Sequence, residues 1–251
     1  AGLSANYDLI PYSTRGESRF KEQIIDSIIY NRKADAIIML GTAPGAEQME
    51  KLNEAGIPVI LIDGAAEGAH SVKCDNEKGA FAAVDYLINK GRRNIAYIGM
   101  EESGAETWPS VTEKKEGYVK ALKSRGIFTG KEIMAGVSHN YINEGRAITQ
   151  NLLKSHKDID AIFCGAGDNT AMGAINAIKE AGLRVPEDIA VIGYDDIPVA
   201  SAFTPLLTTV KQPVEKMGNE AFVMTLEAMQ GKVSKPRNLV FEPELVKRES
   251  A

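Results

Sequence analysis

Cysteine is scarce: the 251 residues contain two, Cys74 and Cys164, far apart and each inside or beside an apolar run. Neither belongs to a CxxC pair nor stands at ligand spacing from a histidine. That favours buried, reduced thiols in a cytosolic protein over a disulfide or a metal site. Histidine is equally sparse. His70, His139 and His156 each adjoin a serine, but sequence neighbours do not build a catalytic triad, and no GxSxG elbow is present. The chain is therefore read as non-enzymatic. No block of basic residues occurs: Lys and Arg number 29 against 34 Asp and Glu, a net charge of -5, so this segment alone is not expected to bind DNA. No apolar run approaches the ~20 residues that span a bilayer, and the opening AGLSANYDLIPYS has no basic, apolar leader. A soluble chain with no membrane partner is expected. Two glycine-containing turns, GTAPG (41–45) and GAG (165–167), complete neither GxxxxGK[ST] nor GxGxxG, so no cofactor and no metal is expected.

What is present is regular alternation. At 44% hydrophobic and 25% charged, the composition suits one large domain or two lobes of modest size. Short runs rich in β-branched residues alternate with amphipathic segments along the chain. YDLIPYS (7–13) reads as a strand, and Phe20, Ile24, Ile25, Ile28 and Ile29 recur at helical spacing after it. Strands follow at 34–40, 57–63, 71–75, 94–100, 160–166 and 188–194, with helices near 45–55, 77–90, 112–125, 143–155 and 169–181. Gly56, Gly91, Gly126 and Gly182 each stand just past the last periodic helical residue, where a left-handed terminator is wanted. Strands apolar at nearly every position are buried on both faces, and helices supply the crossovers that parallel strands need. The fold class is α/β, doubly wound.

In open α/β sheets the ligand lies beyond the carboxyl ends of the strands. That rule selects Ser13 and Thr14, the stretch 41–44 including Thr42, Asp63, Asp75, the stretch 101–110, the stretch 165–169, and Tyr194 to Asp196. These positions are glycine, hydroxyl and acid with few cations, which suits a neutral polyhydroxylated ligand better than a phosphorylated one.

From about residue 160 the wording becomes specific: DAIFCGAGDNTAMGAINAIKEAGLRVPEDIAVIGYDDIPVASAFTPLLTTVKQPVEKMGNEA, closing with FEPELVKRES. Together with RKADAIIML, GIPVILID and DNEKGAFAAVDYLINKGRRNIAYIG, this resembles the regulatory core of the lactose-repressor (LacI/GalR) family of bacterial transcription regulators over essentially the whole chain. The resemblance implies two periplasmic-binding-protein-like α/β lobes with mainly parallel sheets, joined by three crossing strands near 91–93, 210–213 and 233–236. The lobes would be 1–91 with 213–233, incomplete at its start, and 92–212 with 234–251. A first βα unit and, before it, a helix-turn-helix headpiece that meets operator DNA are expected upstream. The family also implies a small-molecule effector bound between the lobes, a sugar or glycoside by preference with a purine as the other candidate, and a homodimer matching a palindromic operator. A solute-binding protein of a sugar transporter is the alternative with the same fold.

By the same resemblance, Asp195 would accept hydrogen bonds from ligand hydroxyls; alternatively it caps the turn that follows. Asp168 would contact the ligand or cap the helix beginning at Asn169. The family usually carries Asn before that Asp, where this chain has Gly167. Lys114 stands where the family commonly has an effector-binding arginine, keeping the charge but not the planar fork; its plain alternative is a solvated helix face. Gln212 matches a crossing-strand position that reaches the ligand, or else makes a hinge hydrogen bond. Trp108 would stack on a sugar ring or pack on the lobe surface, and Tyr141 is a second aromatic candidate near a family site. Asp75 reads as a helix cap.

Overall fold

The computed structural model describes residues 7–14, 17–101, 108–232 and 235–251. In chain order the elements are α1 (Ser18–Asn31), β1 (Ile37–Leu40), α2 (Ala46–Glu54), β2 (Val59–Ile62), β3 (His70–Cys74) and α3 (Asn76–Asn89). There follow β4 (Ile95–Met100), α4 (Pro109–Ser124), β5 (Met134–Val137), α5 (Ile142–Ser155), β6 (Ala161–Cys164) and α6 (Asp168–Glu180). The chain ends with β7 (Ala190–Asp195), a single 3-10 turn, β8 (Thr208–Lys211), α7 (Val214–Met229), β9 (Asn238–Phe241) and β10 (Glu244–Val246). Among the described residues no helix is long and apolar enough to cross a membrane.

Two compact units result, Ala1–Cys74 with Pro213–Phe241, and Asp75–Gln212 with Glu242–Ala251. The family resemblance implies a first break near 91 and a last near 233; by their internal contacts the two units divide at 74/75 and 241/242. Helix α3 decides the first. A helix belongs with the sheet that buries its apolar stripe, and Ala80, Ala83, Val84 and Leu87 pack with Tyr118, Ala121 and Leu122 of α4 over the second unit's strands.

In the first unit the sheet order is β1-β2-β3-β9, all parallel. Because side chains alternate along a strand, Val59 and Leu61 meet α1 and α2 while Ile60 meets α7 on the other face. In the second unit the order is β10-β8-β7-β6-β4-β5, parallel except for β10 against β8. Tyr97, Phe163 and Ile192 point to α3 and α4, whereas Ile98, Ile162 and Val191 point to α5 and α6. Both sheets thus carry helices on both faces, the doubly wound class. The four glycines expected to end helices do adopt left-handed φ, 69° at Gly56, 90° at Gly91, 68° at Gly126 and 77° at Gly182.

Two expectations of local structure fail. Residues 7–14 form no strand, and Leu9, Ile10 and Tyr12 are exposed. An extended run becomes a strand only by pairing its backbone, and among the described residues β1 pairs with β2 alone. Pro11, moreover, has no N–H to offer. Conversely, β5 is a strand that the sequence does not announce. Its sequence MAGV carries little β propensity and forms an edge by pairing with β4.

Candidate functional site

In the second unit the parallel strands point their carboxyl ends at one rim. At that rim β7 finishes in Tyr194 and Asp195, and the backbone turns left-handed at two successive non-glycine residues, Asp195 (φ 108°) and Asp196 (φ 54°). Such conformations cost about 1–3 kcal/mol each and persist where the surroundings over-determine them. Here the surroundings are identifiable. Gln212, just beyond β8, donates Nε2–H to Asp195 Oδ1 at 2.8 Å. Arg248 pairs with Asp196 Oδ1 at 2.6 Å, largely out of solvent, and donates a second bond to the Leu207 carbonyl at 2.7 Å. The Ile197 N–H donates to Asp168 Oδ2 at 2.8 Å.

Asp168 is fully buried, and its other oxygen accepts from the Thr209 hydroxyl at 2.5 Å. It is therefore not the cap of its helix: the N-cap of α6 is Gly167, and Asp168 faces back toward β7 and β8. With both oxygens engaged, it holds the turn after Asp195. Burial raises its pKa to about 7 against the pull of the Thr209 and Ile197 bonds, and the charges of Asp195 and Asp196 add to the rise. The close fit requires glycine at 193, where a Cβ would stand 2.2 Å from Asp168 Oδ1.

Lys114, from the second turn of α4, places its ammonium 4.1 Å from the centre of the Tyr194 ring. It is half-buried, while Lys115 and Glu116 of the same run are exposed. The ring itself is fixed, since Tyr194 donates its hydroxyl to Asn76 Oδ1 at 3.0 Å and Asn76 donates to Glu113 Oε2 at 3.1 Å. Burial raises the pKa of Asp195, and the Lys114 charge followed by the Gln212 amide opposes that rise. A carboxylate, an amide and an ammonium thus converge at the ends of β7 and β8. This set can accept and donate hydrogen bonds to a polar ligand while remaining close to neutral in sum.

The remaining candidates lie as follows. Tyr141 is 60% exposed ahead of α5, its ring stacked on His139 at 5.0 Å and 6°. Trp108 is 42% exposed at the N-cap of α4; residues 102–107, which precede it, lie outside the described residues. Asp75 caps α3, accepting from the Lys78 N–H at 3.0 Å. In the first unit, Ser13 is exposed and Thr14 half-buried in the irregular segment, with the Thr14 carbonyl accepting from Glu17 N–H. Thr42, after β1, accepts from the buried Lys21 ammonium at 3.4 Å, and the Ala43 carbonyl accepts from the same group at 2.9 Å. The strand-end rule counts few cations; it misses Lys21, which enters from α1 rather than from a strand end. Asn76, Glu113 and Arg248 are missed for a similar reason: each reaches the rim from a helix or from the chain's last residues. Tyr194 is within the strand-end selection, but nothing local marks its ring as the seat of Lys114.

A cavity of about 890 Å³ opens elsewhere in the second unit, bordered by Leu153, Ile159, Ala177, Leu183 and Ile189. It sits at the amino ends of β6 and β7, opposite the rim, and its charged members are mixed in sign.

Comparison with known proteins follows the same lines. The family described as periplasmic binding protein-like domain matches residues 84–251. The chain is 32% identical over 232 residues to the HTH-type transcriptional regulator RegA of Clostridium saccharobutylicum, covering 92% of this chain and 68% of that protein. Among solved structures, the transcriptional regulator CelR in complex with cellobiose superposes with a TM-score of 0.82 at 30% identity, covering 94% of this chain and 71% of that one. A LacI family transcriptional regulator from Enterococcus faecium with bound ribose gives a TM-score of 0.86 at 25% identity, covering 99% and 89% respectively.

Proposed function

The chain belongs to the LacI family of transcriptional regulators as its effector-sensing core, and from that premise we propose that the effector is a neutral sugar or glycoside held by Asp195, Gln212 and Lys114. The observation that carries this reading is the Asp195 carboxylate, set in a left-handed backbone at the end of a buried strand with Gln212 on one of its oxygens and Lys114 nearby. A carboxylate so placed accepts from vicinal hydroxyls. The ammonium balances its charge, so a net anionic ligand is not required. Relatives solved with cellobiose and with ribose bound support the same ligand class. Trp108 and Tyr141, of the same unit, offer aromatic faces to a sugar ring. Asp168 serves by holding the turn rather than by touching ligand.

Function then follows from binding without turnover. Effector binding biases the population of two conformers of the regulator, and a homodimer in the cytoplasm passes that bias to headpieces on operator DNA. A coupling of ~1–3 kcal/mol would change operator occupancy about 5- to 150-fold. The relatives are regulators of transcription, which supports this reading over that of a transporter's solute-binding protein. A thermal-shift screen with cellobiose, ribose, other mono- and disaccharides and nucleobases tests the proposal. A sugar at about 100 times its dissociation constant adds ~2.7 kcal/mol of stability. Stabilisation by nucleobases alone would defeat the sugar reading.

A further inference from the structure

The cavity of about 890 Å³ at the amino ends of β6 and β7 has no share in the rim. Ile189, which borders it, stands just ahead of β7, and Asp195 closes that strand; at ~3.3 Å per residue the two lie about 20 Å apart. The packing of α5 on α6 explains why a cavity forms there. A Cβ at Gly145 would stand 2.3 Å from the Thr170 carbonyl oxygen, and one at Gly173 would stand 2.1 Å from that of Ile142, so the helices touch backbone to backbone in their first halves. Further along, Leu153 of α5 and Ala177 of α6 border the cavity instead, and Ile159, Leu183 and Ile189 complete an apolar wall. On the Gly145 side of α5, one turn before Leu153, the fully buried Thr149 hydroxyl has no hydrogen-bond partner among the described residues. The seam between the two helices is therefore closed at one end only.

The charged groups at its mouth sort by partner. Glu180 pairs with Arg146 at 2.9 Å and accepts from Gln150 at 3.0 Å, and Asp188 pairs with Arg184 at 2.8 Å, so both acids are already answered. From the end of α5 come Lys154, His156 and Lys157. Among the described residues neither ammonium is paired with an acid, and Lys157 donates only to the Leu153 carbonyl, at 2.8 Å. Against them stands one carboxylate without an ion pair, that of Glu187. An apolar wall with surplus positive charge at its edge suits a molecule with an apolar body and an anionic head. We propose that this cavity is a second small-molecule site, separate from the effector rim, which takes an aliphatic or aromatic carboxylate with its head at Lys154 and Lys157. The proposal stands whether or not the effector is a sugar.

Sodium octanoate, below its micelle-forming concentration, is the probe, with octanol and octylammonium as the same chain bearing no charge and the opposite charge. Titrations of the isotope-labelled chain are followed by amide NMR. We expect octanoate to shift the signals of Ile159, Leu183 and Ile189 saturably while those of Tyr194 to Ile197 stay in place. Lys154→Glu and Leu183→Ala, both at exposed positions, should fold as the wild type does and each bind octanoate about threefold or more weakly, whereas octanol should respond to Leu183→Ala alone. Shifts that never saturate, or shifts centred on Tyr194 to Ile197, would overturn the proposal. So would unchanged octanoate affinity in either variant. Octylammonium binding as tightly as octanoate would overturn it too, because the carbonyl ends of α5 and α6 would then set the charge preference.

Discussion

The substitution Asp168→Asn tests how the turn after Asp195 is held. The carboxylate is wholly buried, accepts from Thr209 and Ile197, and faces the acids Asp195 and Asp196. Burial dominates and raises its pKa from 3.8 to about 7. Because the folded value lies above the unfolded one, the proton bound to Asp168 contributes stability that is complete below the unfolded pKa and is lost as pH rises through about 7. Between about pH 5.5 and about pH 8.5 that loss integrates to about 2 kcal/mol, or about 4–8 °C in melting temperature. The amide in the variant is neutral throughout, can accept the Ile197 N–H through its oxygen and can donate to Thr209 through its nitrogen, so it has no such dependence. Other titrating groups cancel in the comparison. The measurement is the wild-type minus D168N stability difference by denaturant or thermal unfolding at both pH values. It should move against the wild type by about 2 kcal/mol from the acid to the alkaline end. A difference that stays constant, or that moves toward the wild type at alkaline pH, would refute the assignment of a raised pKa to this buried acid.

Three further outcomes follow from the same geometry. Lys114→Met removes the charge that opposes the burial-raised pKa of Asp195, so that pKa should climb; effector affinity, measured by calorimetry against pH, should begin to fall at a higher pH than in the wild type. Arg248→Ala leaves the Asp196 carboxylate, 12% exposed, without its partner; a loss of about 3 kcal/mol is expected on unfolding, and less than about 1 would mean the pair is dispensable. Gly117→Ala puts a Cβ 2.2 Å from the Glu77 carbonyl at the crossing of α3 and α4. Overpacking there should cost about 1–3 kcal/mol in the same assay, and an unchanged melting temperature would show that the helices can separate freely.

The parts of the fold that are legible in the sequence are those written in local periodicity. Val59 to Ile62 and Ala190 to Asp195 read as buried strands because nearly every side chain is apolar, and each is indeed covered on both faces. The helix-ending glycines are legible because φ near 70–90° excludes most other residues. By contrast, β5 has no local signature and exists because β4 offers it an edge, while the run at 7–13 has the signature and lacks the partner. The boundary at α3 escapes sequence reasoning for a related reason. Its amphipathic stripe says that it must be buried, but only the packed structure says against which sheet.

The site divides in the same way, and the division explains what kind of residue sequence reasoning finds. Asp195 lies at the end of a strand that the sequence announces, so the sheet rule reaches it directly, whereas Gln212 is reached only through the family resemblance. What keeps Asp195 usable is supplied from far along the chain: Asp168 lies 29 residues from Ile197, Arg248 lies 52 from Asp196, and Asn76 lies 118 from Tyr194. Two successive left-handed aspartates would relax toward ordinary backbone if those bonds were absent, since the strain of about 1–3 kcal/mol at each matches the net worth of one or two hydrogen bonds. On the proposed reading of the site, the supports bear on ligand affinity as the contacts do. A variant weakened only in a support should lose effector affinity in proportion to how far the turn relaxes, even though the side chain removed never meets the ligand.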